Sequence, residues 1–195
     1  MPNLSALSPR ILSSVREIVT NDGVICYPTE GVWGLGCHPQ SKKAVNRIVT
    51  LKQRSLDKGV ILIAASYEQI TPYADITSTT KVQLHKLWPG FVTCLLPKSS
   101  TCPNYLTGQF DQIAIRLTAN RIVRQLCLSA GTALVSTSAN ISGKPPVDNI
   151  QTAKALFKRD VDYYVDAPLG GKSQPSRIIR LTDQPTDQNM EIIRD

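Results

Sequence analysis

Metal-ligand spacing, disulfide pairing and membrane-length apolar runs are all missing from this chain. Its five cysteines, Cys26, Cys37, Cys94, Cys102 and Cys127, are odd in number and irregular in spacing, with no C-x-x-C and no Cys/His cluster. That leaves no basis for a zinc site or a disulfide framework, and no metal ligands are assigned. Scattered single thiols suit a reducing compartment, so a cytoplasmic protein is expected. The longest apolar run, Val60–Ala65, falls far short of the ~20 residues a membrane span needs. Met1–Ser5 carries no basic stretch followed by an apolar one, so no signal peptide is expected. Aromatic residues make up only 6% of the chain, too few to suggest RNA recognition by base stacking. His38 and His85 have no partner at catalytic spacing, and no Ser/His/Asp or Cys/His arrangement stands out. Internal repeats, low-complexity stretches and linkers are absent too.

Acidic residues are the scarcer charge. Fifteen Asp and Glu face 22 Lys and Arg, a net charge of +7. Such a surface attracts phosphates, whether on a nucleotide or on RNA, unless the excess serves solubility alone. The 195 residues, 42% hydrophobic and 19% charged, suit a single globular domain over 1–195.

Helical and strand-like segments alternate. Residues 8–20 read as a helix capped by Ser8, with Pro9 in the first turn and Ile11, Leu12, Val15, Ile18 and Val19 on one face. A short buried strand, 24–27, stops at Pro28. A second helix spans 41–52, capped by Ser41, with Ala44, Val45, Ile48 and Leu51 inward. Val60–Ala64 reads as a strand covered on both faces. Further strands are expected at 91–96, 112–117, 133–137, 162–165 and 176–181, and helices at 120–130 and 149–158. Met190–Ile193 could add an edge strand. This pattern predicts an α/β or α+β domain with a mixed sheet.

Three stretches could carry chemistry. The first is 28–38, with Gly31, Gly34 and Gly36, between a strand and a helix. Glycines there permit close ligand approach, but the order G-x-x-G-x-G is not the dinucleotide fingerprint, and a plain tight turn is the alternative. The second is Lys52-Gln53-Arg54 with Lys58, a cationic cluster just before a strand. It is either a phosphate clamp or a solvated basic face. The third is Ser136–Gly143, whose hydroxyls and amides can hold phosphate oxygens or simply cap the next helix. Gly171-Lys172-Ser173 mimics the end of a Walker loop, but Asp166 stands where that motif needs glycine and Pro175 opposes a helix there. Arg116 is a charge inside the apolar strand Ile113–Leu117, and a buried arginine needs an anion, either a structural carboxylate or a ligand. Ser176 and Arg177 adjoin a strand.

In register, Tyr27-Pro28-Thr29-Glu30-Gly31, Trp33-Gly34-Leu35-Gly36, Lys52-x-Arg54 and Ser138-x-Asn140 with Ser142-Gly143 resemble the YrdC-like threonylcarbamoyl-AMP synthases. The likeness runs along essentially the whole chain, and the length resembles the short bacterial form. It implies a twisted, mixed parallel and antiparallel open sheet flanked by helices around a basic concave cavity. It implies a nucleotidyltransferase that combines L-threonine, bicarbonate and ATP into threonylcarbamoyl-adenylate and pyrophosphate. A transferase complex then uses that product to modify tRNA beside the anticodon. Mg²⁺ is expected on the phosphates. By position, Lys52 and Arg54 are implied in catalysis. Lys52, Arg54, Lys58, Ser138 and Asn140 are implied in ATP binding, and Thr29, Arg116 and Ser176 in threonine binding. The chain departs from the family pattern at Ser55–Gly59, at Thr137, and at Ile63, where some members carry histidine. Two other readings stand beside it: an RNA-binding or ribosome-maturation factor, whose affinity would fall steeply with salt, and a module like that of hydrogenase maturation proteins.

Overall fold

A computed structural model describes residues 6–172, 174–181 and 190–194. Ser173 of the Walker-like turn and the Met1–Ser5 stretch lie outside these. Helix α1 spans Pro9–Thr20, with the Ser8 hydroxyl accepting from Ile11 N at 3.4 Å. Strands β1 (Ile25–Pro28) and β2 (Trp33–Gly36) form an antiparallel hairpin, followed by α2 (Lys42–Leu51), capped by Ser41. A 3-10 turn at Leu56–Lys58 leads into β3 (Ile61–Ala64). Then come α3 (Ser78–His85), β4 (Val92–Pro97), the single-turn α4 (Asn104–Thr107), β5 (Gln112–Leu117) and α5 (Arg121–Ala130). The chain continues through β6 (Leu134–Ser138), α6 (Ile150–Phe157), β7 (Tyr163–Tyr164), β8 (Arg177–Leu181) and β9 (Met190–Arg194).

Among the described residues, nine strands join one sheet in the order β7-β1-β2-β6-β3-β5-β4-β8-β9. The pairs β1/β7, β3/β5 and β4/β8 are parallel and the rest antiparallel, so the sheet is mixed as expected. Strand β3 lies at its centre, which explains its unbroken apolar run.

Period-two alternation sends the side chains of β1, β3 and β6 to two different cores. Val24, Cys26, Leu62, Ala64, Ile113 and Ile115 join the larger cluster, which includes Ala44, Val45 and Ile48 of α2 and Ala153 and Phe157 of α6. Ile25, Tyr27, Ile63 and Leu134 join the smaller one, with Val15 and Val19 of α1 and Ile122, Val123, Leu126 and Cys127 of α5. Taking one such large aliphatic side chain fully out of water stabilises by roughly 1.5–3 kcal/mol.

Three local outcomes differ from the sequence expectation. Residues 28–38 are not one loop, because Trp33–Gly36 is strand β2. The Tyr27 ring lies across from these glycines, and a Cβ on Gly36 would sit 2.7 Å from Tyr27 Cε1 and 2.6 Å from Val135 O. Glycine therefore serves close packing inside a strand here, not a turn. Pro28 extends β1 by one residue. Thr29 N bonds Val32 O, so Pro28 falls on the alternate, non-bonded position of the hairpin and its missing N–H costs no ladder bond. Helices α3 and α4 had no sequence signal, since Leu84 is the one buried residue of α3 and α4 is a single turn.

Candidate active site

Helices α1 and α5 cover only part of their face of the sheet. Beyond Ile63 and Leu134, the same face continues as Ile61, Ala114, Arg116, Ser136 and Gly34, and these line a cavity of about 370 Å³. The turn between β1 and β2 supplies Thr29 and Val32. The 3-10 turn and its approach supply Lys58 and Arg54, and β4 supplies Leu95. The C-terminal hairpin β8–β9 brings Ile178, Arg180, Ile193 and Arg194, with Ser176 just before it. Among the described residues, five cations, Arg54, Lys58, Arg116, Arg180 and Arg194, line the space and no carboxylate residue does. A concave surface of one sign with apolar walls focuses its field on an anionic ligand.

Of the residues singled out in the sequence, Thr29, Arg54, Lys58, Arg116, Ser138 and Ser176 meet here. Lys52 and Asn140 do not line the cavity. Lys52 is 4% exposed, and its ammonium donates to Ser138 O, to Asn140 O at 3.1 Å and to Asn140 Oδ1 at 2.9 Å. The Asn140 side chain is fully engaged. Its Oδ1 also accepts from Ser138 Oγ at 2.6 Å, and its Nδ2 donates to Ile141 O at 3.0 Å and Lys144 O at 2.6 Å. Lys52 therefore braces the loop that presents Ser138. The family resemblance implied it beside the phosphates, through the Lys52-x-Arg54 motif. The end of α2 turns the two side chains apart. Burial, with Arg54 close by, pulls the Lys52 pKa down to about 8.

Thr29 Oγ1 donates to Val32 O at 2.7 Å, which closes the hairpin turn and leaves the oxygen able only to accept from a ligand. Ser176 Oγ shares a hydrogen bond of 2.8 Å with Thr93 Oγ1. Arg54 is half-buried and makes one long contact, 3.4 Å from Nη2 to Lys58 O, and burial lowers its pKa. Arg194 donates to Ser176 O at 2.8 Å, and burial followed by the nearby Arg116 and Arg54 lowers its pKa as well. Cations that weaken one another in this way favour an anion between them.

Arg116 answers the question its sequence position raised. It is 5% exposed, and its anionic partner is Glu30, with Nη2 3.1 Å from Oε2. The Phe91 ring lies 5.0 Å from its guanidinium carbon. Its Nη1 is buried without a hydrogen-bond partner. Glu30, Phe91, Arg180 and Arg194 were missed in the sequence. Glu30 stood inside a quoted motif, but its pairing with Arg116 joins distant parts of the chain and left no signal in the sequence.

A strap, residues 170–172 and 174–176, runs beside the hairpin turn and lends Pro175 and Ser176 to the cavity wall. Gly170 N donates to Thr29 O at 2.9 Å and Lys172 N to Glu30 O at 2.8 Å. The fit depends on Gly31, where a Cβ would lie 1.9 Å from Gln174 O. Gly31→Ala is expected to destabilise by about 1–3 kcal/mol, seen as a drop in Tm of several degrees. An unchanged Tm would show that the strap does not bear on this turn.

Known proteins resemble this chain in sequence and in fold. The model of the Sua5/YciO/YrdC family, described as telomere recombination, matches residues 17–195. The chain is 46% identical over 158 residues to a threonylcarbamoyl-AMP synthase of Pseudoalteromonas translucida, covering 80% of this chain and 84% of that protein. It is 45% identical over 170 residues to the protein of the same description from Escherichia coli K12, covering 86% and 89%. Among solved structures, P. abyssi Sua5 complexed with L-threonine superimposes with a TM-score of 0.85 at 28% identity, covering 97% of this chain and 55% of that one. The chain thus spans little more than half of Sua5. E. coli YciO has the same fold, with a TM-score of 0.85 at 23% identity over 98% and 92% of the two chains.

Proposed function

The chain belongs to the Sua5/YciO/YrdC family, and from that premise we propose that it is a threonylcarbamoyl-AMP synthase. It would join L-threonine, bicarbonate and ATP into threonylcarbamoyl-adenylate and pyrophosphate, for a separate transferase to carry the group to tRNA. The observation that carries this reading is the cavity itself, lined among the described residues by five cations, several hydroxyls and no carboxylate residue. The activity named for the relatives and the threonine bound to Sua5 support it.

The chemistry needs what the cavity offers. Threonine's amine adds to bicarbonate, with loss of water, to give a carbamate. A carbamate oxygen then attacks the α-phosphorus of ATP and the bond to the bridging oxygen of pyrophosphate breaks. No side chain must act as nucleophile. Negative charge spreads over phosphoryl oxygens, and fixed cations and positioning lower the barrier. In this reading Arg54 and Lys58 hold the triphosphate, Arg194 faces it from the C-terminal hairpin, and Ser138 binds the nucleotide. Arg116 pairs the threonine carboxylate through its unpartnered Nη1, with Thr29 and Ser176 nearby. Lys52 and Asn140 act from behind the wall by holding Ser138. Among the described residues, no group of three or more His, Cys, Asp or Glu could hold a metal ion, so a Mg²⁺ would travel on the phosphates and water.

The nine-stranded sheet supports treating 1–195 as one unit. The five free, buried thiols fit work in the reducing cytoplasm. Among the described residues no helix is long and apolar enough to cross a membrane.

Purified protein given ATP, bicarbonate and threonine is expected to release pyrophosphate only when threonine is present. Release at the same rate without threonine overturns the reading.

A further inference from the structure

Arg116 does not stand in the cavity alone, and its surroundings set what it can bind. One side of its guanidinium is held by Glu30 Oε2, 3.1 Å from Nη2, and Phe91 stacks on it at 5.0 Å. Glu30 is fixed in turn. Thr118 Oγ1 donates to Glu30 Oε1 at 2.6 Å, and Thr118 Oγ1 accepts from Asn120 N at 3.0 Å. Behind it the strap packs against its backbone, through Lys172 N on Glu30 O at 2.8 Å and Gly170, where a Cβ would lie 2.7 Å from Glu30 Cα. The carboxylate therefore has one place to be, and it dictates where Arg116 points. Two atoms of the pair remain unmet: Arg116 Nη1, a buried donor with no partner, and Glu30 Oε2, which is close to Nη2 as an ion pair but accepts no hydrogen bond. A buried donor left so is costly unless a ligand completes it.

The charges make a second point. Arg116 is paired with an acid, so this end of the cavity is close to neutral. Arg54, Lys58 and Arg194 have no carboxylate partner among the ion pairs described. A polyanionic phosphate is drawn to the unpaired cations. A single carboxylate needs only the one directed donor that Arg116 offers.

We propose that Glu30 is a positioning residue that orients Arg116 toward the amino-acid carboxylate and, by its charge, keeps that spot from phosphate. This rests on the synthase reading above, in which the amino acid is threonine. Threonine dependence in the wild type tests that reading first, and the variants are compared only against a wild type that has it.

Steady-state rates are measured for Glu30→Gln, which keeps the shape and removes the charge. The KM for threonine is expected to rise roughly tenfold or more, with the KM for ATP little changed. Inorganic phosphate is expected to compete with threonine in this variant and not in the wild type. Thr118→Val, which removes the hydroxyl that holds Glu30, is the second variant should the first fail to fold. It is expected to raise the KM for threonine by a few-fold with the KM for ATP unchanged. A folded Glu30→Gln with wild-type KM for threonine overturns the proposal. So does an equal rise in both KM values, or phosphate that competes no better than before. For Thr118→Val alone, an unmoved KM for threonine overturns it.

Discussion

Arg54→Ala is expected to lower kcat for threonine-dependent pyrophosphate release by about 10²–10³-fold, the usual loss when one fixed donor to a developing oxyanion is removed. The effect should fall on kcat because the charge Arg54 meets grows as the carbamate oxygen closes on phosphorus. Stability should hardly move. Arg54 is only half-buried, makes one long bond to Lys58 O, and its removal strands no buried group. Such substitutions usually stay within about 0.5 kcal/mol, so the Tm should hold within a few degrees. Stopped kinetics with an intact Tm is the expected pair of results. Turnover near that of the wild type removes Arg54 from the clamp.

Lys52→Met should behave in the opposite way, although the two residues are separated by one position. The ammonium serves three acceptors, Ser138 O, Asn140 O and Asn140 Oδ1, and it is 4% exposed. Methionine fills much of the volume and leaves those acceptors unmet. Each buried group so stranded costs about 1–3 kcal/mol, and neighbours do not add fully, so a loss of about 2–4 kcal/mol is expected. At this size that lowers the Tm by roughly 4–15 °C. Activity falls with it because Ser138 loses its support. Circular dichroism melts and rates on the same preparation separate the two variants. Lys52→Met with an unchanged Tm and no activity would move Lys52 from brace to substrate contact.

Much of the frame was legible because its causes are local. Ser8, Ser41 and Asn120 each precede an amphipathic stretch and each caps the helix that follows. The run at 60–64 is apolar throughout because β3 is central and covered on both faces. The glycines of 31–36 misled because glycine marks turns as readily as close packing. Only the Tyr27 ring and the Val135 carbonyl decide between the two.

The site was half legible. Arg54, Lys58, Ser138 and Thr29 were found as residue types in suggestive stretches, and they do share the cavity. Lys52 looked equivalent to Arg54 because a sequence gives adjacency but not direction. Its partners are 86 and 88 positions away. Glu30 is likewise tied to Thr118 across 88 positions, and no local rule joins them.

Sequence alone determined most helices and strands, though not β2, α3 or α4, together with the alternation that gives each strand two faces and the excess of cation. Caps, periods and charge are properties of neighbours along a chain. Strand order and register were decided only in three dimensions. They set Ile63 beside Arg116, so that α1 and α5 cover the first on a face whose continuation past the second stays open as the cavity. They also turned the +7 of the composition into five cations around one space, with two of them, Arg116 and Arg180, paired with Glu30 and Glu191. Pairing between distant strands fixes which side of the sheet a side chain occupies, and a shift of one residue would reverse it.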